Sequence, residues 1–365
     1  MIPQIQPWIN EEELEQLRRV VDSTYLTEHT LTREFEARTR ELTGARHAVA
    51  MTNGTMALYC CLKALDIGPG DEVIVPDMTF IATSNAVIMA GATPVFCDIL
   101  PDTFCIDVKR AEGVMTSHTK AIIPVHLYGQ SADMDAVQTF AETHSLKVIE
   151  DAAQGVGVRF KGRHTGTFGK MGILSYYGNK TITCGEGGIV LTDDDDLARA
   201  CYRLKNHGRD HKGIFIHEHI GFNFSFTEMQ AAIGIAQMNK LPRIIERKKA
   251  IHDRYVAELA DLERLEATAI DDRSQPVHWF TSFLSDDAEQ LATYLQEQDI
   301  QTRRFFYPLH LQPCYRGLLE IQGDFAVTDS VYQRGISLPS SYLLTDEEQG
   351  KVIQAIRDFH REHRR

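Results

Sequence analysis

Five short apolar runs alternate with helical stretches across residues 47–151, and this alternation limits what the chain can fold into more than any other feature. The runs are His47–Met51, Glu72–Pro76, Thr93–Ile99, Lys120–His126 and Lys147–Asp151. Between them, Met56–Leu65, Ile81–Ala90 and Met134–His144 read as helices. Strands separated by helices join through right-handed crossovers, so they lie parallel, with helices covering both faces of the sheet. Ile173–Tyr176 and Gly188–Thr192 add two further strands, and Gly187-Gly188 permits a sharp bend between them. The expected fold class is α/β with a mostly parallel sheet.

The flanks read differently. Asn10 and Glu13 form a capping-box pattern ahead of Leu14, Leu17 and Val21 at helical spacing. Asp194–Lys205, Glu228–Asn239 and Arg243–Leu262 read as helices, the first ending near Gly208. Beyond Pro242 the pattern becomes α+β: strand Val277–Leu284, helix Asp286–Gln298, strand Ile300–Phe306, and helix Thr345–Arg361 opened by a Thr345/Glu348 capping box. This predicts a large domain over 1–242 and a smaller α+β C-terminal domain over 243–365.

Composition narrows the function classes. The chain has 365 residues and a net charge of −13, a balance that repels phosphate backbones and argues against nucleic-acid binding while allowing a local basic pocket. Seven cysteines without paired zinc spacing read as free thiols in a reducing compartment. No apolar run approaches the length of a membrane span, and the first residues turn quickly to Asn10-Glu11-Glu12-Glu13 rather than to a basic, apolar leader. The expectation is a cytoplasmic protein with no membrane segment.

Candidate chemistry gathers where strands end. Thr52-Asn53-Gly54-Thr55 follows a strand and opens a helix, whose free N–H groups attract phosphate; read alone, it is equally an ordinary turn. Asp151 ends an apolar strand at the edge where open α/β sheets bind ligands, and can equally be a helix cap. Gln154 can donate to a ligand or face solvent. Ser175 and Lys180 stand in a segment with Gly178, Gly185, Gly187 and Gly188, a constrained loop rather than a helix face. A lysine there can bond a carbonyl cofactor, and a carboxylate elsewhere can hold that cofactor's ring nitrogen protonated. Phe80 can stack on a planar ring or pack in the core. The loop with His207, Arg209, His211, His217 and His219 lacks a compact metal-ligand pattern, so no metal is expected, and anion binding by Arg209 or His207 suits it better. His310 faces substrate or packs at a turn.

Taken in order, these segments resemble one family. Asn53-Gly54-Thr55, Pro76 to Phe80, His126-Leu127-Tyr128-Gly129, Glu150-Asp151-Ala152-Ala153-Gln154, Ser175 to Gly188, Gly221-Phe222-Asn223 and Tyr307-Pro308-Leu309-His310 closely resemble the DegT/DnrJ/EryC1/StrS family of sugar aminotransferases. The resemblance implies an aspartate-aminotransferase-like fold (fold type I) and a homodimer with shared active sites. It implies pyridoxal 5'-phosphate, passing through pyridoxamine 5'-phosphate, with Lys180 forming the Schiff base. By the same resemblance Asp151 pairs with the ring nitrogen and Gln154 with the ring hydroxyl. Gly54, Thr55 and Ser175 bind the phosphate, Phe80 stacks, and Asn223 reaches the phosphate in the partner subunit.

The implied reaction moves an amino group from L-glutamate, releasing 2-oxoglutarate, to a nucleotide-diphosphate keto sugar. The Gly129–Asp135 and Ser175–Gly188 stretches resemble family members that make a 4-amino-4,6-dideoxy sugar, and that resemblance implies a GDP-linked 4-keto-6-deoxy sugar rather than UDP- or dTDP-linked ones, for O-antigen or other glycan synthesis. Relatives with histidine at the lysine position are dehydratases, and Lys180 speaks against that reading; the intact set argues against a non-catalytic regulator. The segment Leu26–Leu31 departs from the family pattern near the expected substrate loop.

Overall fold

The computed structural model describes residues 1–209 and 215–363. Helices α1 (Glu11–Ser23) and α2 (Thr30–Thr43) precede β1 (His47–Met51). Then come α3 (Gly54–Ala64), β2 (Glu72–Pro76), α4 (Ala82–Met89), β3 (Thr93–Cys97), α5 (Val108–Ala111), β4 (Thr119–Ile122), α6 (Met134–His144) and β5 (Lys147–Asp151). A hairpin of β6 (Arg159–Phe160) and β7 (Arg163–His164) leads to β8 (Met171–Ser175), β9 (Gly188–Thr192), α7 (Asp195–Lys205) and the long α8 (Glu228–Leu259). The remainder is β10 (Leu265–Ala267), β11 (Ser274–Gln275), β12 (Thr281–Ser285), α9 (Ala288–Glu297), β13 (Arg303–Arg304), α10 (Ala326–Arg334), β14 (Gly335–Leu338) and α11 (Asp346–Glu362).

The large sheet runs β1-β9-β8-β5-β4-β2-β3. Its pairs are parallel except those of β9, which is antiparallel to both β1 and β8. Near-continuous burial of Val73–Val75, Ile149 and Met171–Leu174 matches a sheet covered on both faces. Register sets up the ligand edge: Met51 and Ser175 both stand opposite Gly188, and Asp151 stands opposite Ile173, two residues short of Ser175. A second, antiparallel sheet runs β10-β12-β14-β13, and β11 joins the hairpin instead. The α/β fold and the smaller α+β part agree with the sequence reading.

Several local expectations are corrected. The two helices expected on either side of Pro242 are one helix, α8. An internal proline costs about 3 kcal/mol. Here burial on both sides outweighs that cost: Ile235, Leu241 and Ile244 pack with Leu174 and Ile182, whereas Ile251, Tyr255 and Leu259 pack with Leu291, Ile336 and Val352. The helix thus passes from one core to another between Ile244 and Ile251. The first residues do not stay with the large sheet: Ile2 and Gln4 pair with Asp299, Gln301, Leu338 and Ser340.

On α1 the capping box forms, but Leu14 and Val21 are exposed and the helix turns Glu13 and Val20 inward. Glu13 tolerates burial because Lys240 Nζ lies 2.6 Å away and Gln237 donates to it. The connection between β8 and β9 turns at Gly178-Asn179 and bends at residues 180–182 and at Gly185-Glu186, where Gly185 has φ +81°, and not at Gly187-Gly188. Gly188 is needed for another reason: a Cβ there would stand 2.4 Å from the Asn53 carbonyl, where β9 passes under the start of α3. Val277–Leu284 becomes a strand only at Thr281, because Val277–Trp279 forms a tight turn (Trp279 N–H to Val277 O, 2.6 Å). Within Ile300–Phe306 only Arg303–Arg304 pairs with β14, whereas Ile300 bridges to Ile2. Among the described residues no helix is long and apolar enough to cross a membrane.

Candidate active site

The carboxyl ends of β1, β2, β5 and β8 open onto a cavity of ≈ 290 Å³. Gly54, Thr55, Phe80, Asp151, Gln154, Ser175 and Lys180 all line it. One end is built by the start of α3. Asn53 Oδ1 caps the Met56 N–H at 2.9 Å, which leaves the Gly54 and Thr55 N–H groups as the open end of the helix. Ser175 sits against Gly54 so closely that a Cβ on Gly54 would lie 3.2 Å from the Ser175 Cβ. Two backbone donors and a hydroxyl therefore face the same end of the cavity, a geometry suited to an anion.

The floor is Asp151, buried at the end of β5. Its Oδ2 accepts from Thr83 Oγ1 at 2.8 Å and its Oδ1 from the Ala153 N–H at 3.1 Å. Two neutral donors fix the carboxylate without neutralising it, so it still calls for a cationic partner from the cavity side. Gln154 is oriented by the Tyr128 N–H, which donates to Oε1 at 2.6 Å. That bond assigns the amide: Nε2 remains as a donor and meets no acceptor among the described residues.

Lys180 closes the site. Its backbone N–H bonds Tyr177 O at 2.9 Å, and its Nζ lies 4.2 Å from the centre of the Trp279 ring. The Trp279 indole is in turn held by Asn179 O at 2.6 Å. Burial pushes the Lys180 ammonium down to about 8; Asp151 opposes this and Arg303, across the cavity, assists it. Lys205 and Lys248 are also depressed by burial, to about 8 and about 7. Neither lines this cavity. Lys205 is held by Glu28 and Ala50 O, and Lys248 by the Trp279 and Ser340 carbonyls. A lowered pKa alone therefore does not set Lys180 apart; its place on the cavity does.

A pH prediction follows with its sign. In the cofactor-free protein Lys180 is charged in both folded and unfolded states below about 8, and burial then opposes folding in full. Between about 8 and 10.5 the folded state loses its proton first, so this opposition fades and stability rises with pH across that window. Acylation of Lys180 by an amine-selective reagent, followed by peptide mass spectrometry, should show a midpoint near pH 8. A midpoint near 10.5 would contradict the buried, depressed amine.

Other expected residues lie elsewhere. Asn223 and Arg209 are not on this cavity but on a separate hollow of ≈ 420 Å³, with Thr27, Glu28 and Lys205. Glu28 belongs to the atypical Leu26–Leu31 segment and is neutralised by Lys205 and Arg33. His310 is also absent from the cavity wall. Its Nδ1 bonds Asp77 Oδ2 at 2.7 Å, Nε2 lies 3.6 Å from Asp329, and the ring stacks on Phe325. His211 lies outside the described residues. Among those described, no group of His, Cys, Asp or Glu side chains is placed to hold a metal ion. Sequence reasoning missed Thr83, Trp279 and Arg303. Only Trp279 carried a signal, as one of two tryptophans in the chain.

The whole arrangement has known counterparts. Residues 7–357 match the profile of the DegT/DnrJ/EryC1/StrS aminotransferase family. The chain belongs to this family. It is 34% identical over 365 residues to a GDP-perosamine synthase of Vibrio cholerae, covering 98% of this chain and 99% of that one. It is 39% identical to a GDP-perosamine synthase of Caulobacter vibrioides, covering 88% of each. Among solved structures, S. venezuelae DesV in complex with a ketimine intermediate superposes with a TM-score of 0.91 at 34% identity, over 96% of this chain and 94% of DesV. Membership makes this a sugar aminotransferase dependent on pyridoxal phosphate. The cavity fits that cofactor on its own evidence: an uncommitted Gln154 donor, a buried Asp151 carboxylate and a helix start beside Ser175 suit its ring hydroxyl, ring nitrogen and phosphate.

Proposed function

We propose that this family member transfers the amino group of L-glutamate to GDP-4-keto-6-deoxymannose, giving GDP-perosamine for O-antigen or another glycan, in the cytoplasm. The observation that carries the amino-transfer reading is the convergence of Lys180, Asp151, Gln154, Ser175 and the start of α3 on one cavity. The GDP-linked acceptor is supported by the perosamine synthases among the relatives.

When bound, pyridoxal phosphate supplies an aldehyde carbon for the amine and a ring that takes up charge from the donor's α-carbon. Gly54 N–H, Thr55 N–H and Ser175 Oγ would hold the phosphate, and Phe80 would cover a ring face. Gln154 Nε2 would donate to the ring hydroxyl oxygen. Asp151 would keep the ring nitrogen protonated, with Thr83 and Ala153 fixing its orientation. Lys180 Nζ would hold the aldehyde carbon, and as a free amine it would move the proton at the donor's α-carbon. An amine near 8 is deprotonated often enough to do this near neutral pH. Trp279 sets the path of that amine.

We read the enzyme as a homodimer in which Asn223 completes the partner subunit's site. Two features support this: Asn223 lies off its own chain's cavity, and Leu14 and Val21 on α1, with Tyr25 and Leu26 just after it, are exposed apolar side chains.

Incubation of holoenzyme and L-glutamate with GDP-, UDP- and dTDP-linked 4-keto-6-deoxy sugars, read by mass and NMR, tests the substrate. The expected product is a GDP-linked 4-amino sugar, formed with kcat/KM roughly tenfold or more above the other nucleotides. Preferred amination of a UDP- or dTDP-sugar would reassign the acceptor. Loss of a sugar hydroxyl without nitrogen gain would make the protein a dehydratase.

A further inference from the structure

We infer that Arg303 is the anchor for the α-carboxylate of the amino donor, a binding contact of the site that holds Lys180; this rests on the amino-transfer reading above. The case begins with two consecutive arginines on β13. Neighbouring strand residues face opposite ways. Arg304 is spent on the protein: it donates to the carbonyls of Gly335 and Tyr332 at 2.9 Å each, and also to Gln333. Arg303 lines the cavity, and among the described residues its guanidinium has neither an acceptor nor a carboxylate partner.

Its position follows from a ladder of ring contacts. The Arg303 guanidinium lies 5.3 Å from the Phe280 ring centre, Phe280 stacks on Trp279 at 3.9 Å, and Trp279 meets Lys180 Nζ at 4.2 Å. A guanidinium resting on an aromatic face keeps its planar fork free and oriented, and that fork matches a carboxylate bidentately. Arg303 is solvent-exposed where it lines the cavity, so its fork is open to an incoming anion.

The two substrates offer three anionic groups: the donor's α- and γ-carboxylates and the diphosphate. Reach decides between them. The donor's α-carboxylate is one bond from the α-carbon that Lys180 must meet, whereas its γ-carboxylate is three bonds away and the diphosphate is separated from the reacting keto carbon by the sugar ring. A cation sharing one small cavity with Lys180 is placed for the nearest group.

The test uses holoenzyme carrying Arg303→Gln and Arg303→Lys. Calorimetry with glutarate, a dicarboxylate that cannot react, and separately with GDP reads binding without turnover. Arg303→Gln should weaken glutarate on the order of tenfold to a hundredfold, raise KM for L-glutamate comparably and leave GDP binding within about twofold. Arg303→Lys, which keeps charge but loses the fork, should recover part of the loss. Unchanged glutarate affinity in Arg303→Gln would overturn the assignment, as would a loss confined to GDP, which would give the guanidinium to the diphosphate. Failure of the wild-type holoenzyme to form 2-oxoglutarate from L-glutamate would instead overturn the amino-transfer reading, and the donor assignment with it.

Discussion

Replacement of Lys180 by alanine should lower amino transfer by about 10⁴-fold or more while leaving the protein folded. Two roles vanish together, the covalent anchor and the proton carrier, and positioned proton transfer alone is commonly worth 10²–10⁴-fold. No hydrogen bond of the Lys180 side chain holds the fold: its Nζ meets the Trp279 ring and the cavity. Removing a buried ammonium also relieves a desolvation cost. Thermal unfolding should therefore shift by no more than a few degrees, and steady-state rates measured beside it separate lost chemistry from lost structure. A variant retaining more than about a hundredth of wild-type turnover would place the proton carrier elsewhere, with Lys205 and Lys248 as the other depressed amines.

Asp151→Asn should give the second largest loss, on the order of 10²–10³-fold in kcat/KM for L-glutamate. That is the size expected when one fixed charge is removed from where it meets developing charge. The shape is nearly retained and an amide oxygen can still accept from Thr83 or Ala153, but asparagine carries no charge to keep a ring nitrogen protonated. A second readout has a definite sign. Asp151 raises the Lys180 pKa, so its loss should move the Lys180 modification midpoint below about 8. Normal kcat/KM with an unmoved midpoint would show that Asp151 serves only as a cap.

The sheet was legible because its strands carry their own signals: His47–Met51, Glu72–Pro76 and Lys147–Asp151 appear with the expected ends. The meeting of Gly54, Asp151 and Ser175 on one cavity was legible for the same reason, since each is fixed by where a strand stops. What escaped depends on contacts between distant segments. Pro242 signals a break, yet the cores on either side of it keep α8 whole. Leu14 and Val21 match a buried stripe, but the Glu13–Lys240 pair turns α1 so that they face outward. Trp279 and Arg303 reach the cavity from more than 90 positions beyond Lys180, through a tight turn and a two-residue strand that periodicity does not mark. His310 sits in a family-like motif, and only the structure shows both of its ring nitrogens turned to aspartates.

Borohydride reduction of the wild-type holoenzyme, followed by proteolysis and peptide mapping by mass spectrometry, tests the assignment of the reactive amine most directly. The expected result is one pyridoxyl adduct per chain, on Lys180, and none in Lys180→Ala. A reduced adduct on Lys205, Lys248 or any other lysine, with Lys180 unmodified, would contradict it.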